Sequence, residues 1–124
     1  MRTRSQVLAA IALFAGLLVA VPATAQHVVV NGEMWLKSSP EIRKAFLVGA
    51  GNMIALEKAY ATKKGTAQPA VGVMAAKAVE GMTLDQVSDR VTRWYQANPQ
   101  RHDVPVMGVI WIDLVKPASS SAGK

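Results

Sequence analysis

The sequence predicts an all-α fold, a compact bundle of about four helices that follows a cleaved export leader. Three observations lead there. Apolar residues recur at helical spacing through 42–60 and again through 84–95. Two segments open on side-chain caps, Ser38-Ser39-Pro40-Glu41 and Thr83-Leu84-Asp85-Gln86. The one run rich in valine and isoleucine, 104–115, has no second convincing strand to pair with, so as a strand it would leave its backbone groups unbonded. Short connections between helices that each carry one apolar face give a bundle.

The leader comes first. Arg2 and Arg4 provide a positive start, Val7 to Val21 carry no charge, Pro22 breaks the run, and Ala23-Thr24-Ala25 has the small residues that a signal peptidase reads. The apolar run falls short of the roughly 20 residues that a helix needs to cross a bilayer, so cleavage after Ala25 is expected rather than a lasting membrane anchor. Residues 1–25 are then the signal peptide, 26–117 the helical domain and 118–124 a disordered tail. The mature chain holds 99 of the 124 residues, enough for one small domain. It contains no cysteine, so side-chain packing alone must brace it, where small exported domains commonly use disulfides. Trp35, Trp94 and Trp111 are expected to anchor that packing. Removing Arg2 and Arg4 leaves 12 basic residues against 8 acidic ones, a mildly basic solvated surface. The basic residues are scattered and accompany no nucleic-acid motif.

Residues 26–37 read as an irregular arm, with a small hairpin at Asn31-Gly32 as the lesser alternative. The first helix starts at the Ser38–Glu41 capping box, with proline in its first turn. Ile42, Ala45, Phe46, Gly49, Met53, Leu56 and Tyr60 form one stripe, which is expected to face the core. Gly49 lies in that stripe and Gly51 beside it. Each costs roughly 1 kcal/mol relative to alanine, a cost explained if a second helix approaches closely there. The loop from Thr62 to Pro69 ends the helix. A second helix spans about Ala70 to Glu80, with Val71, Met74, Ala75 and Ala78 on one face and Gly81 as its stop. The third runs from the Thr83–Gln86 box to Asn98-Pro99, buries Leu84, Val87, Val91, Trp94 and Tyr95, and pairs Asp89 with Arg93. Residues 104–115 are read as the fourth helix, capped by Asp103, opened by Pro105 and closed by Pro117. Met53 and Met74 read as core filler, Met34 and Met82 as adaptable interface residues. The chain has no internal repeat.

Two blocks carry a resemblance. The first is Asn31-Gly32, Trp35-Leu36, Ser39-Pro40-Glu41, Arg43, Phe46 and Gly49. The second is Met82-Thr83-Leu84-Asp85-Gln86, Val91, Tyr95, Asn98-Pro99, Arg101 and Pro105. Over about Asn31 to Val115 the chain resembles the Tai/Rap domain, the periplasmic immunity proteins that neutralise peptidoglycan amidases delivered by type VI secretion. The resemblance implies a small helical periplasmic domain, often a homodimer, that blocks an amidase by occupying its active-site cleft. Many members carry cysteines that can pair, and this chain departs from them in having none.

The chemistry-bearing residues are few. His102-Asp103, beside Arg101, is the only cluster that suggests catalysis, since histidine titrates near neutral pH and a neighbouring carboxylate can orient it. Loop capping is the preferred role for both. No metal-ligand spacing and no cofactor motif is present, and Ser119, Ser120 and Ser121 sit in the tail with nothing to fix them for attack. Trp94-Tyr95 read as core rather than a ligand platform. The expectation is a non-enzymatic protein-binding module without metal or cofactor, with no nucleic-acid partner and no stable membrane insertion after cleavage. The expected contact loops are Lys63-Lys64-Gly65 and Asn98 to Asp103, so Lys63, Lys64, Arg101, His102 and Asp103 are the candidate contact residues. The alternatives are a structural or stress-related, chaperone-like envelope protein with no toxin partner, and an envelope hydrolase using His102 and Asp103.

Overall fold

Asn31 opens the first helix of the described chain. Its side-chain oxygen accepts from the Met34 N–H at 3.1 Å and caps a helix, α1, at Gly32–Lys37. A computed structural model of the chain describes residues 28–123. The leader, its cleavage site, Gln26, His27 and Lys124 lie outside that range. The expected irregular arm is therefore wrong from Gly32 onward. Nor does a hairpin form: Asn31 makes one isolated antiparallel bridge to Pro105, and Val106 N–H donates to the Val30 carbonyl at 2.9 Å.

The remaining elements are α2 (Pro40–Lys64), α3 (Ala70–Ala78), α4 (Leu84–Ala97), a 3-10 turn at Pro99–Arg101, α5 (Val106–Ile110), a π-helical turn at Trp111–Val115 and α6 (Lys116–Ser121). The all-α reading holds. Ser39, not Ser38, caps α2, accepting from the Ile42 N–H, while Ser38 turns back to donate to the Met34 carbonyl at 2.7 Å. The box expected between Ser38 and Glu41 does not form: the cap moves one residue on, and Ile42 at the third helical position has no side-chain acceptor to return the bond. In α4 the box forms as read: Gln86 N–H donates to the Thr83 hydroxyl at 3.1 Å and Thr83 N–H to the Gln86 side chain at 2.8 Å. Gly65 and Gly81 follow α2 and α3 in the left-handed conformation, with φ of 64° and 77°. Gly72 is buried and lets α3 close on α2, since a Cβ there would stand 3.3 Å from the Glu57 carboxylate and 3.5 Å from Ile54.

α2 carries two stripes with the same 4-3-4-3-4 spacing, offset by one residue. Arg43, Leu47, Ala50, Ile54, Glu57 and Ala61 turn inward and are buried or half-buried. The stripe expected to face the core turns out instead. Ile42, Met53, Leu56 and Tyr60 are about 60% exposed, Ala45 and Gly49 are exposed, and only Phe46 leans in, edge-on to Trp35. The inward stripe accepts Arg43 because its guanidinium has partners. The Arg43 guanidinium bonds the Trp35 and Leu36 carbonyls at 2.8 and 3.0 Å, which ties α2 to α1.

The core gathers around α4. Trp35, Val91, Tyr95, Val106, Val109 and Val115 are essentially inaccessible, and Val87, Ile110 and Leu114 join them. Trp35 meets the anchoring expectation and Trp94 packs at the core margin. Trp111 does not, being 37% exposed. Met53 and Val71, expected inside, are also exposed, whereas Met74 packs against the core.

The last helices depart furthest from expectation. Pro105, not Asp103, occupies the position before α5, and Pro117 does not close the helix, which continues to Ser121. Proline lacks the N–H that would bond the carbonyl four residues back, and its ring crowds that carbonyl. The chain responds with a widened turn: Lys116 N–H reaches the Trp111 carbonyl, an i to i−5 bond. The carbonyl of Asp113 then accepts from Arg90 Nη2 at 2.9 Å, while Arg90 Nε holds the Asp113 carboxylate at 2.9 Å. Arg90, rather than the expected Asp89–Arg93 pair, carries the charge contact of α4 on this side. The tail therefore begins in a helix, against the expectation of disorder from residue 118.

Candidate protein-binding site

Trp35, Arg43 and Tyr95, three residues of the two blocks, take part in the frame of the fold. Thr92 Oγ1, on α4, accepts from Trp35 Nε1 at 2.9 Å and from Arg43 at 3.3 Å, and donates to the Ser88 carbonyl at 2.8 Å. Three helices meet at that hydroxyl. Tyr95 is the second hub. Its ring lies under Gly32, its hydroxyl donates to the Val104 carbonyl at 2.6 Å, and its own carbonyl meets His102 Nε2 at 3.1 Å. Burial pushes the Tyr95 phenol up to about 12.

His102 accordingly serves the end of α4, in line with the capping role read for it. Its ring stands edge-on to Tyr95, and its backbone carbonyl accepts from Gly32 N–H at 2.9 Å. Asp103 is exposed and points to no partner among the described residues. The Arg101 guanidinium lies 5.0 Å from the Trp94 ring centroid, a stacked cation held at the surface. Lys63 and Lys64 close α2, both exposed, with the Lys64 ammonium 5.9 Å from the Tyr60 ring.

The two expected contact loops do not converge. Arg43 is the α2 residue that touches α4 at Thr92, one turn from Tyr95, and Lys63 lies roughly 30 Å further along α2 at 1.5 Å per residue. The five candidate residues thus belong to two separate surfaces. Among the described residues no group of three or more histidine, aspartate or glutamate side chains is placed to hold a metal ion.

A different feature has the form of a binding site. Between α2, α3, α4 and α5 lies an apolar cleft of about 360 Å³, walled by Leu47, Gly51, Ile54, Ala75, Leu84, Met107 and Ile110, with Glu80 the charged residue on its rim. Gly51 lines it with no Cβ, which replaces the helix-approach explanation for that glycine. The floor continues past Ala75, Met107 and Ile110 into a second hollow of about 390 Å³, bounded by Val71, Gly108, Trp111 and Val115. Leu84, Met107, Trp111 and Val71 are 37–61% exposed along this groove. Concave, apolar, methionine- and tryptophan-bearing surfaces are where partner side chains insert. The π-helical turn at Trp111 sits at its far end, and such turns recur at functional sites.

Sequence reasoning missed this groove. Met107 and Trp111 lie one turn apart on one helix, and that i, i+4 pairing was the available signal. It was hidden because valine and isoleucine dominate the segment and tryptophan is read as core by default. Comparison of the chain with protein-family models, with curated proteins and with solved structures finds no match in any of the three.

Proposed function

We propose that this chain is an exported, non-enzymatic protein-binding module that acts in the periplasm by blocking a peptidoglycan amidase, with the apolar groove from Leu84 to Trp111 as its contact surface. The observation that carries the reading is the division of labour among side chains. The polar groups that could have served catalysis are occupied inside the fold: Thr92 and Arg43 in joining helices, Tyr95 and His102 in closing α4. The exposed surface, in contrast, offers a long apolar hollow. The leader supports the location and the Tai/Rap-like blocks support the amidase. Blockade needs no chemistry from the chain, only a complementary surface that excludes substrate.

The test is inhibition. The chain, recovered after processing of its own leader, is titrated into peptidoglycan digestion by type VI amidase effectors, including any encoded beside it. Stoichiometric inhibition of one amidase supports the reading, and failure against all of them removes it. A chaperone-like envelope role is favoured by one observation, the amount of apolar surface left open on both α2 and the groove. That role predicts suppression of aggregation of unrelated unfolded proteins, which a dedicated inhibitor would not show.

A further inference from the structure

One end of the molecule combines positive charge with an open apolar face. Of the chain's 8 acidic residues, only Glu57 lies between Ala45 and Ala78, and it turns inward, half-buried beside Gly72. Lys58, Lys63, Lys64 and Lys77 are exposed over the same stretch, and none has an ion-pair partner among the described residues. On the outward flank of α2, Met53, Leu56 and Tyr60 are 57–62% exposed. At the helical rotation of about 100° per residue, Lys63 and Lys64 fall on either side of Tyr60, one turn further on. The Lys64 ammonium stands 5.9 Å from the Tyr60 ring centroid.

We infer that this flank of α2 docks on the surface of an anionic lipid bilayer. Met53, Leu56 and Tyr60 enter the interface, and Lys63 and Lys64 meet the acidic headgroups. An apolar helix flank buries itself at the boundary between headgroups and acyl chains, and lysines beside it add attraction to acidic lipid. Tyr60, at the lysine-bearing end, has the apolar ring and polar tip that are favoured where lipid meets water. Glu41 closes the other end of the same flank and is repelled by acidic headgroups, so docking centres on the C-terminal half of α2.

The shape of the patch favours lipid over a protein partner. It is the convex flank of one helix, and from Ala45 to Ala59 its outward sector offers Asn52 as the one polar side chain. Protein interfaces fix a partner with placed hydrogen bonds and fitted packing; a bilayer surface requires neither. The helix lies on the surface and does not span it. No described helix is long and apolar enough to cross a membrane, and α3 and α4 pack against the other side of α2. Gly51, which lines the groove, is half a turn around α2 from Tyr60. Docking therefore leaves the groove open.

Vesicle flotation of the leader-processed chain tests this without any amidase, so its outcome is independent of the proposed inhibition. The chain should float with vesicles of phosphatidylethanolamine and phosphatidylglycerol and stay behind with pure phosphatidylcholine. The bound fraction should fall at least fivefold in Lys63→Gln/Lys64→Gln. It should fall as far in Met53→Ser/Leu56→Ser, which leaves the charge unchanged. Arg93→Gln/Lys116→Gln, which removes the same charge elsewhere, should bind as the wild type does. All six side chains are exposed, or nearly so, in the fold, and circular dichroism confirms that each variant is folded. The chain has no cysteine, so a polarity-sensitive dye on one introduced thiol reports which face is buried. Its emission should shift to the blue with anionic vesicles at Leu56→Cys and stay fixed at Gln96→Cys. No flotation, equal binding to both lipids, serine variants that bind undiminished, equal loss in the Arg93/Lys116 variant, or a dye that shifts at 96 and not at 56 would overturn the inference.

Discussion

Gly32 lies so close over Tyr95 that a Cβ at position 32 would stand 2.5 Å from the ring's Cδ1 and 2.6 Å from Cε1. Tyr95 cannot yield, because its hydroxyl is bonded to the Val104 carbonyl and its ring is fully buried. Gly32→Ala is expected to destabilise the fold by about 2–3 kcal/mol, the cost of overpacking a closed site. Gly51→Ala, where a Cβ meets nothing within 4 Å, should instead stabilise by about 0.5–1 kcal/mol. Urea unfolding of the two variants, followed by tryptophan fluorescence, checks the opposite signs.

Thr92→Val keeps the shape of the side chain and removes its oxygen. Trp35 Nε1 then loses its acceptor inside the core, as does one Arg43 N–H. A loss of about 2 kcal/mol is expected from an unsatisfied buried donor. Thr92→Ser, which keeps the hydroxyl, should lose less than half of that in the same unfolding measurement.

Alkaline stability should follow Tyr95. Its phenol is raised in the folded state to about 12 from an ordinary value of 10, so at intermediate pH the unfolded chain releases a proton that the folded chain keeps. The stabilisation is complete below pH 10 and is lost as pH rises through the window from 10 to 12. Tyr95→Phe removes this contribution to the alkaline slope, though it lowers stability at pH 7 by about 1 kcal/mol through the lost bond to Val104. Unfolding free energy measured from pH 8 to 11.5 for both proteins distinguishes the slopes.

Arg90 and Pro117 are coupled through the Asp113 carbonyl. Arg90→Ala should cost about 1–2 kcal/mol, most of it from the orphaned carbonyl, because the half-exposed ion pair itself contributes little. In a Pro117→Ala background the residue at 117 brings its own N–H, so the same Arg90 change should cost distinctly less. A double-mutant cycle measures the difference, and full additivity would contradict the account of the π-helical turn.

Local signals were legible and phase was not. The Thr83–Gln86 box needs only its own four residues, so the start of α4 could be read directly, as could the stop at Gly81, whereas α2 runs through Thr62 to Lys64, where a loop was expected, and ends at Gly65. The stripe on α2 was found, but its direction could not be. Two stripes with identical spacing lie side by side, and the core took the one containing Arg43 and Glu57 because Trp35, Leu36 and Thr92 offer Arg43 its acceptors. Those acceptors lie 7 to 49 residues away in sequence. Pro117 misled for the same reason, since the carbonyl it orphans is satisfied by Arg90 on another helix. Of the candidate site, a loop-capping role for His102 was readable, but not that its ring reaches back to the Tyr95 carbonyl near the end of α4. The groove was not, because it is assembled by α2, α3, α4 and α5 and no single segment contains it.

The central claim, that the groove and not the polar loops makes contact with an amidase, is tested most directly by inhibition with surface variants. Residual amidase activity is measured against increasing wild-type chain, Trp111→Glu and His102→Ala. Both altered side chains are at least partly accessible, and thermal unfolding confirms that each variant folds. The account predicts stoichiometric inhibition by the wild type and by His102→Ala, with Trp111→Glu at least tenfold weaker. Inhibition undiminished in Trp111→Glu, or absent in the wild type, would contradict it.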